Sequence, residues 1–132
     1  MLSWFTHSQL LDFITQLASR DVTLVITTDH GSVRVNNPVK VIGDRSTSVN
    51  LRYKTGRNLN YNPKEVFEVK DPGQAHLPVK GISSSFIFGL GKDFFAYPNN
   101  YNHYVNHYRN TFQHGGISME EMMVPLAVLK PK

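Results

Sequence analysis

The sequence of 132 residues predicts an α/β fold, and three observations carry that expectation. The unbroken apolar, β-branched run Val22-Thr23-Leu24-Val25-Ile26-Thr27 reads as a strand buried on both faces, the pattern of parallel sheets. An amphipathic helical stretch precedes it. Beyond it, short extended and helical segments alternate, with no internal repeat and no low-complexity tract.

Taken in order, Leu2-Ser3-Trp4-Phe5 resembles the interior of a fold, with large apolar side chains that need cover. Thr6 and Gln9 make a capping-box pattern with Phe5 and Leu10 placed as a staple. Leu10, Leu11, Ile14, Leu17 and Ala18 then recur at helical spacing through about Arg20. This helix feeds the Val22–Thr27 strand. Val33 to Val41 is extended but interrupted by Asn36-Asn37-Pro38, and Arg45 to Asn62 is polar, basic and turn-rich, which predicts a long excursion. Val66-Phe67-Glu68-Val69, Ser85-Phe86-Ile87-Phe88 and Phe94-Phe95-Ala96-Tyr97 read as strands, and Asn100 to Arg109 as a short aromatic helix. Ser118 and Glu121 form a capping box for another short helix. Met122 to Leu129 is a final strand, placed near a sheet edge because Pro125 has no N–H to donate.

Asp29 and His30 close the apolar run. Parallel sheets bind ligands beyond the carboxyl ends of their strands, so a carboxylate and an imidazole arrive where a metal or phosphate would sit. Gly31 then permits a sharp turn and close backbone approach. The plainer alternative is a surface turn in which Asp29 caps the next segment and His30 is solvated. Far along the chain, Phe112-Gln113-His114-Gly115-Gly116-Ile117-Ser118-Met119-Glu120-Glu121-Met122-Met123-Val124-Pro125 puts a second histidine in a tight loop before a helix start.

Read together with Thr27-Thr28-Asp29-His30-Gly31-Ser32, this tail resembles the carboxyl-terminal end of the alkaline-phosphatase superfamily, in particular its PglZ branch. Val39-Lys40-Val41-Ile42-Gly43-Asp44-Arg45, Asn50-Leu51-Arg52-Tyr53-Lys54 and Asp93-Phe94-Phe95-Ala96-Tyr97-Pro98 are also similar to PorX-type response regulators, in which a receiver domain precedes a PglZ domain. The resemblance implies that residues 1–132 are the carboxyl-terminal portion of an alkaline-phosphatase-like αβα sandwich, a mixed, mostly parallel sheet with flanking helices. It implies two divalent metals, usually zinc, with Asp29 and His30 matching the dyad of one metal and His114 the late histidine of the other. It also implies phosphorelay control and a role in signalling that governs protein secretion.

Two cations about 3.5–4 Å apart stabilise both the attacking and the leaving oxygen of an in-line displacement. The superfamily's early aspartate, nucleophile and Asp-x-x-x-His pair all precede the dyad. Residues 1–28 contain no Asp-x-x-x-His, so the nucleophile is expected upstream and the isolated chain is expected to be inactive. Thr27 and Thr28 read as a strand residue and a locally bonded loop hydroxyl rather than substitute nucleophiles. The resemblance also implies that Asp29, His30 and His114 converge at one end of the sheet.

Composition narrows the setting. Hydrophobic residues at 40% suffice for the core of one small domain, and the absence of cysteine excludes disulfides and thiolate ligands. No apolar stretch approaches the roughly eighteen residues of a membrane span, and the start lacks a signal pattern, so a soluble, cytoplasmic setting is expected. Within a net charge of +4, Lys40, Arg45, Arg52, Lys54 and Arg57 concentrate just after the dyad. Arg45, Arg52 and Lys54 are therefore candidates to bind the non-bridging oxygens of a phosphodiester or nucleotide substrate, with Tyr53 or Tyr61 stacking on a base. A solvated basic loop is the alternative. His103 and His107 stand at i and i+4, but Tyr101, Tyr104 and Tyr108 make an aromatic helix face the better reading, and His7 and His76 carry no signal. A non-enzymatic interaction or nucleic-acid-binding module is the competing function. Loss of upstream strands would leave an apolar edge, and this predicts self-association.

Overall fold

The computed structural model describes residues 2–79 and 85–131. Its elements in chain order are α1 (Leu2–Thr6), α2 (Gln9–Leu17), β1 (Leu24–Thr27), β2 (Val33–Arg34), β3 (Asn37–Lys40) and β4 (Tyr53–Gly56). A 3-10 turn (Pro63–Glu65) leads into β5 (Val66–Val69), followed by β6 (Ser85–Gly89), β7 (Asp93–Ala96), α3 (Tyr101–Tyr108), β8 (Phe112–Gln113), α4 (Met119–Met122) and β9 (Leu126–Leu129). The chain divides into two compact units, residues 1–29 with 124–132, and residues 30–123.

In the first unit, α2 is capped by Ser8, whose extended backbone lets its Oγ accept from the Leu11 N–H at 3.4 Å. The expected Thr6 cap is corrected: the Thr6 hydroxyl turns back and donates to the carbonyls of Leu2 and Ser3, closing α1 instead of opening α2. The helix also ends at Leu17, where the Ala18 N–H bonds to Ile14 and Thr15. β1 pairs antiparallel with β9, in register from Leu24 opposite Leu129 to Thr27 opposite Leu126. Leu24 and Ile26 are half-buried while Val25 is 54% exposed, and all four residues of β9 are exposed. The strand is thus shorter than the Val22–Thr27 run and is not buried on both faces, because its outward positions happen to be apolar.

The second unit holds the core. β6 lies between β4 and β5, antiparallel to both, so Phe86, Ile87 and Phe88 are buried along its length. β3 pairs with β7 in parallel, setting Val39 opposite Phe95. Pro38 is tolerated in β3 because, among the described residues, that strand pairs only with β7 and its missing N–H breaks no second ladder. Val39, Val41, Val66, Ile87 and Phe95 form one cluster, joined by Leu59 and Tyr61. Val33, Val35 and Phe94 form another with Leu51 and Tyr108.

Both helices and strands are present, as an α/β class requires. The expectation of a mostly parallel sheet in an αβα sandwich is corrected: the described strands form four small sheets, of which only β3–β7 is parallel. The excursion from Arg45 to Asn62 also conceals a strand, β4, whose buried side chains are Lys54 and Thr55, on opposite faces, in place of apolar residues. Among the described residues, no helix is long and apolar enough to cross a membrane.

Candidate functional site

The first unit ends at Asp29, an exposed residue whose carboxylate accepts from the Thr28 hydroxyl at 3.4 Å. The Thr27 hydroxyl donates to the Pro125 carbonyl at 2.8 Å, a local role in the β1–β9 ribbon. His30 opens the second unit. Its Nδ1 lies 2.8 Å from the Gly31 carbonyl oxygen, which can only accept, so Nδ1 donates there. A backbone carbonyl orients many metal-binding imidazoles in this way. The Gly31 N–H in turn donates to the Glu121 carbonyl at 2.9 Å, and a Cβ on Gly31 would sit 2.0 Å from the Glu120 carbonyl oxygen. Only glycine lets the His30 loop approach α4 this closely.

His114 follows β8. The next residue, Gly115, has φ +99°, a left-handed conformation that an L side chain rarely adopts. The Asn50 amide donates to the His114 carbonyl at 3.4 Å, and the Gly116 N–H donates to Glu121 Oε1 at 2.9 Å. The structure brings His30 and His114 together: their rings stack with centroids 3.8 Å apart and planes 8° from parallel.

Beneath the two loops lies a buried ion pair. Arg52 Nε and Nη2 each donate to a Glu121 carboxylate oxygen at 2.9 Å, and both side chains are essentially inaccessible. Glu121 also accepts from the Gly116 and Ser118 N–H groups, which occupies the roughly four acceptor sites of a carboxylate. Burial pushes the Glu121 carboxyl up, but the Arg52 guanidinium and the two backbone donors outweigh it and hold it below its usual 4.5. Arg52 is fixed in addition by the Asp93 carbonyl, which takes Nη1, and by Asn50 Oδ1, which accepts the Arg52 N–H at 2.7 Å.

The candidate phosphate-binding cations are placed differently from one another. Arg45 is exposed. Arg52 and Lys54 are 0% and 1% exposed and directed into the fold, which corrects their reading as charges facing a substrate. The Lys54 Nζ donates to the Ser48 carbonyl at 2.9 Å and stands 4.5 Å from the centroid of the Tyr97 ring. Burial lowers its pKa to about 8. Tyr53 packs against Phe86 and Phe88, away from any base-stacking surface shared with Lys54.

The stacked histidines test how far these residues suit a metal. Zinc binds imidazole in the ring plane at about 2.0–2.1 Å, so one ion cannot lie in the planes of two rings stacked face to face with centroids 3.8 Å apart. Two ions, one for each ring, would each take a single histidine ligand. Among the described residues, no group of three or more His, Cys, Asp or Glu side chains could hold a metal. The described residues therefore do not complete a metal centre by themselves. His103 and His107 stack 6.2 Å apart on the exposed side of α3, also without a carboxylate.

Sequence reasoning missed the part played by Arg52 and by the Glu121 carboxylate. The Ser118–Glu121 capping box marks a helix start but gives no hint of an arginine 69 positions earlier. A scan against protein families matches residues 5–129 to the BREX system PglZ alkaline phosphatase-like domain. A search of curated proteins finds no match. The family match spans nearly the whole chain, including both histidine loops and the buried pair beneath them, and the chain therefore belongs to the PglZ family of alkaline phosphatase-like domains.

Proposed function

We propose that this PglZ domain is the carboxyl-terminal portion of a zinc-dependent phosphodiesterase or phosphatase, the effector of a PorX-type two-component response regulator with an upstream receiver domain. In this reading His30 and His114 are ligands of two different metals, Asp29 joins His30 on the strength of the sequence dyad, and the nucleophile and remaining ligands lie upstream. The observation that carries the proposal is the convergence of two histidines remote in sequence, their ring centroids 3.8 Å apart. The hydrogen bond that orients the His30 ring on the Gly31 carbonyl supports it. The substrate is a phosphodiester or nucleotide, with Arg45 the exposed candidate for its phosphate. Nucleic-acid binding through the basic segment has less support, because Arg52 and Lys54 present no charge to solvent.

Calorimetric titration of the purified chain with zinc tests this reading. A stable zinc site takes about four ligands, so binding is expected to be weak and to fall further with His30→Ala or His114→Ala. No turnover of bis(p-nitrophenyl) phosphate is expected. Zinc-dependent hydrolysis by this chain alone, abolished by His30→Ala, would show that it holds a complete site. Zinc binding indifferent to both substitutions would remove the histidines from the proposal.

A further inference from the structure

We propose that Glu121, locked by Arg52, is the positioning residue that holds His30 and His114 side by side. The two histidines sit on separate loops at one end of the β2–β8 ladder, in which Val33 stands opposite Gln113. Glu121 reaches both. Its backbone carbonyl accepts from the Gly31 N–H at 2.9 Å, beside His30, and its carboxylate accepts from the Gly116 N–H at 2.9 Å, beyond His114. Glu121 thus ties the two loops to each other beyond the end of the β2–β8 ladder.

Arg52 makes that residue rigid. The bidentate contact fixes the plane of the carboxylate, and the guanidinium is itself held from β7 by the Asp93 carbonyl. Asn50 adds a parallel link, accepting the Arg52 N–H through its side-chain oxygen and donating through its amide to the His114 carbonyl. The arrangement is the one expected of groups that orient metal ligands without touching the metal. As a statement about metal ligands it rests on the function proposed above. As a statement about ring placement it does not.

The test is proton NMR of the full chain, because stacked imidazoles displace one another's ring C–H signals upfield and a change of mere stability leaves that displacement in place. In the wild type, both His30 and His114 are expected to show it. The double variant Arg52→Met with Glu121→Leu removes the carboxylate without leaving an unpaired buried charge. Its expected result is loss of the displacement at both histidines, while the amide signals of the β4–β6–β5 sheet stay dispersed. A folded double variant with both ring signals unchanged would overturn the proposal. Should the double variant lose its sheet signals as well, Gly116→Ala decides, since its Cβ would meet the Glu121 carboxylate at 2.5 Å and part that carboxylate from the His114 loop without deleting either charge. Loss of the stack in that variant supports the proposal, and its survival refutes it. Adding zinc to the wild type separates the two claims: ring signals that ignore zinc would sink the metal reading, while the dependence of the stack on Glu121 would stand.

Discussion

Glu121 and Lys54 are both charged and both buried, yet their partners set them on opposite courses. Glu121 accepts two hydrogen bonds from Arg52 and one each from Gly116 and Ser118. Its carboxyl is held below 4.5, so the stability it contributes is complete above that pH and disappears as pH falls through the lower folded value. Arg52→Met alone strands the carboxylate and is expected to cost about 3–5 kcal/mol in urea unfolding at pH 7, whereas adding Glu121→Leu should recover most of the loss. Lys54 has one carbonyl and one aromatic face, and burial wins, bringing its pKa from 10.5 to about 8. Below pH 8 the ammonium is charged in both states and its burial penalty persists. Between about 8 and 10.5 the unfolded chain binds more protons, so stability rises with pH, by at most about 3 kcal/mol. Urea midpoints across that interval should show the rise in the wild type and lose it in Lys54→Met.

Among the elements, β1 and β9 form a ribbon whose strands have no other partner among the described residues. Val25, Leu126 and Val128 are 54%, 69% and 53% exposed, so the ribbon offers both open hydrogen-bonding edges and apolar side chains. Concentration-dependent self-association is the expected behaviour in sedimentation, reduced by Val128→Lys. A monomer at every concentration would contradict this. The segments that became β6 and β7 were legible because their apolar runs, Phe86-Ile87-Phe88 and Phe94-Phe95-Ala96, are the buried residues of those strands. β4 was not, since its buried side chains are Lys54 on one face and Thr55 on the other, where apolar residues are expected. Nor does an apolar run state the direction of its neighbour, which is why Leu24–Thr27 suggested a parallel sheet and pairs antiparallel instead. The site follows the same logic. The glycines after His30 and His114 announce tight loops, but the pair that ties those loops together joins residues 69 positions apart and leaves no local pattern.

At the scale of the molecule, burial is unequally shared. Among the described residues, all of the buried hydrophobic ones, from Val33 to Val105, belong to the unit of residues 30–123, and none of the other unit is fully buried. Backbone opening takes the least free energy where few apolar contacts must be broken. Amide hydrogen exchange should therefore be rapid throughout α1, α2, β1 and β9 and slowest in β6 and β7. Equal protection in both units would refute that ranking. The same division distributes the chromophores. Trp4, the only tryptophan, stands 67% exposed in the first unit, and all six tyrosines, residues 53, 61, 97, 101, 104 and 108, fall in the second. Indole fluorescence thus reports on one unit and the near-ultraviolet circular dichroism of the phenols chiefly on the other. Unfolding curves recorded through both signals would show, without any added label, whether the chain melts in one cooperative transition or two.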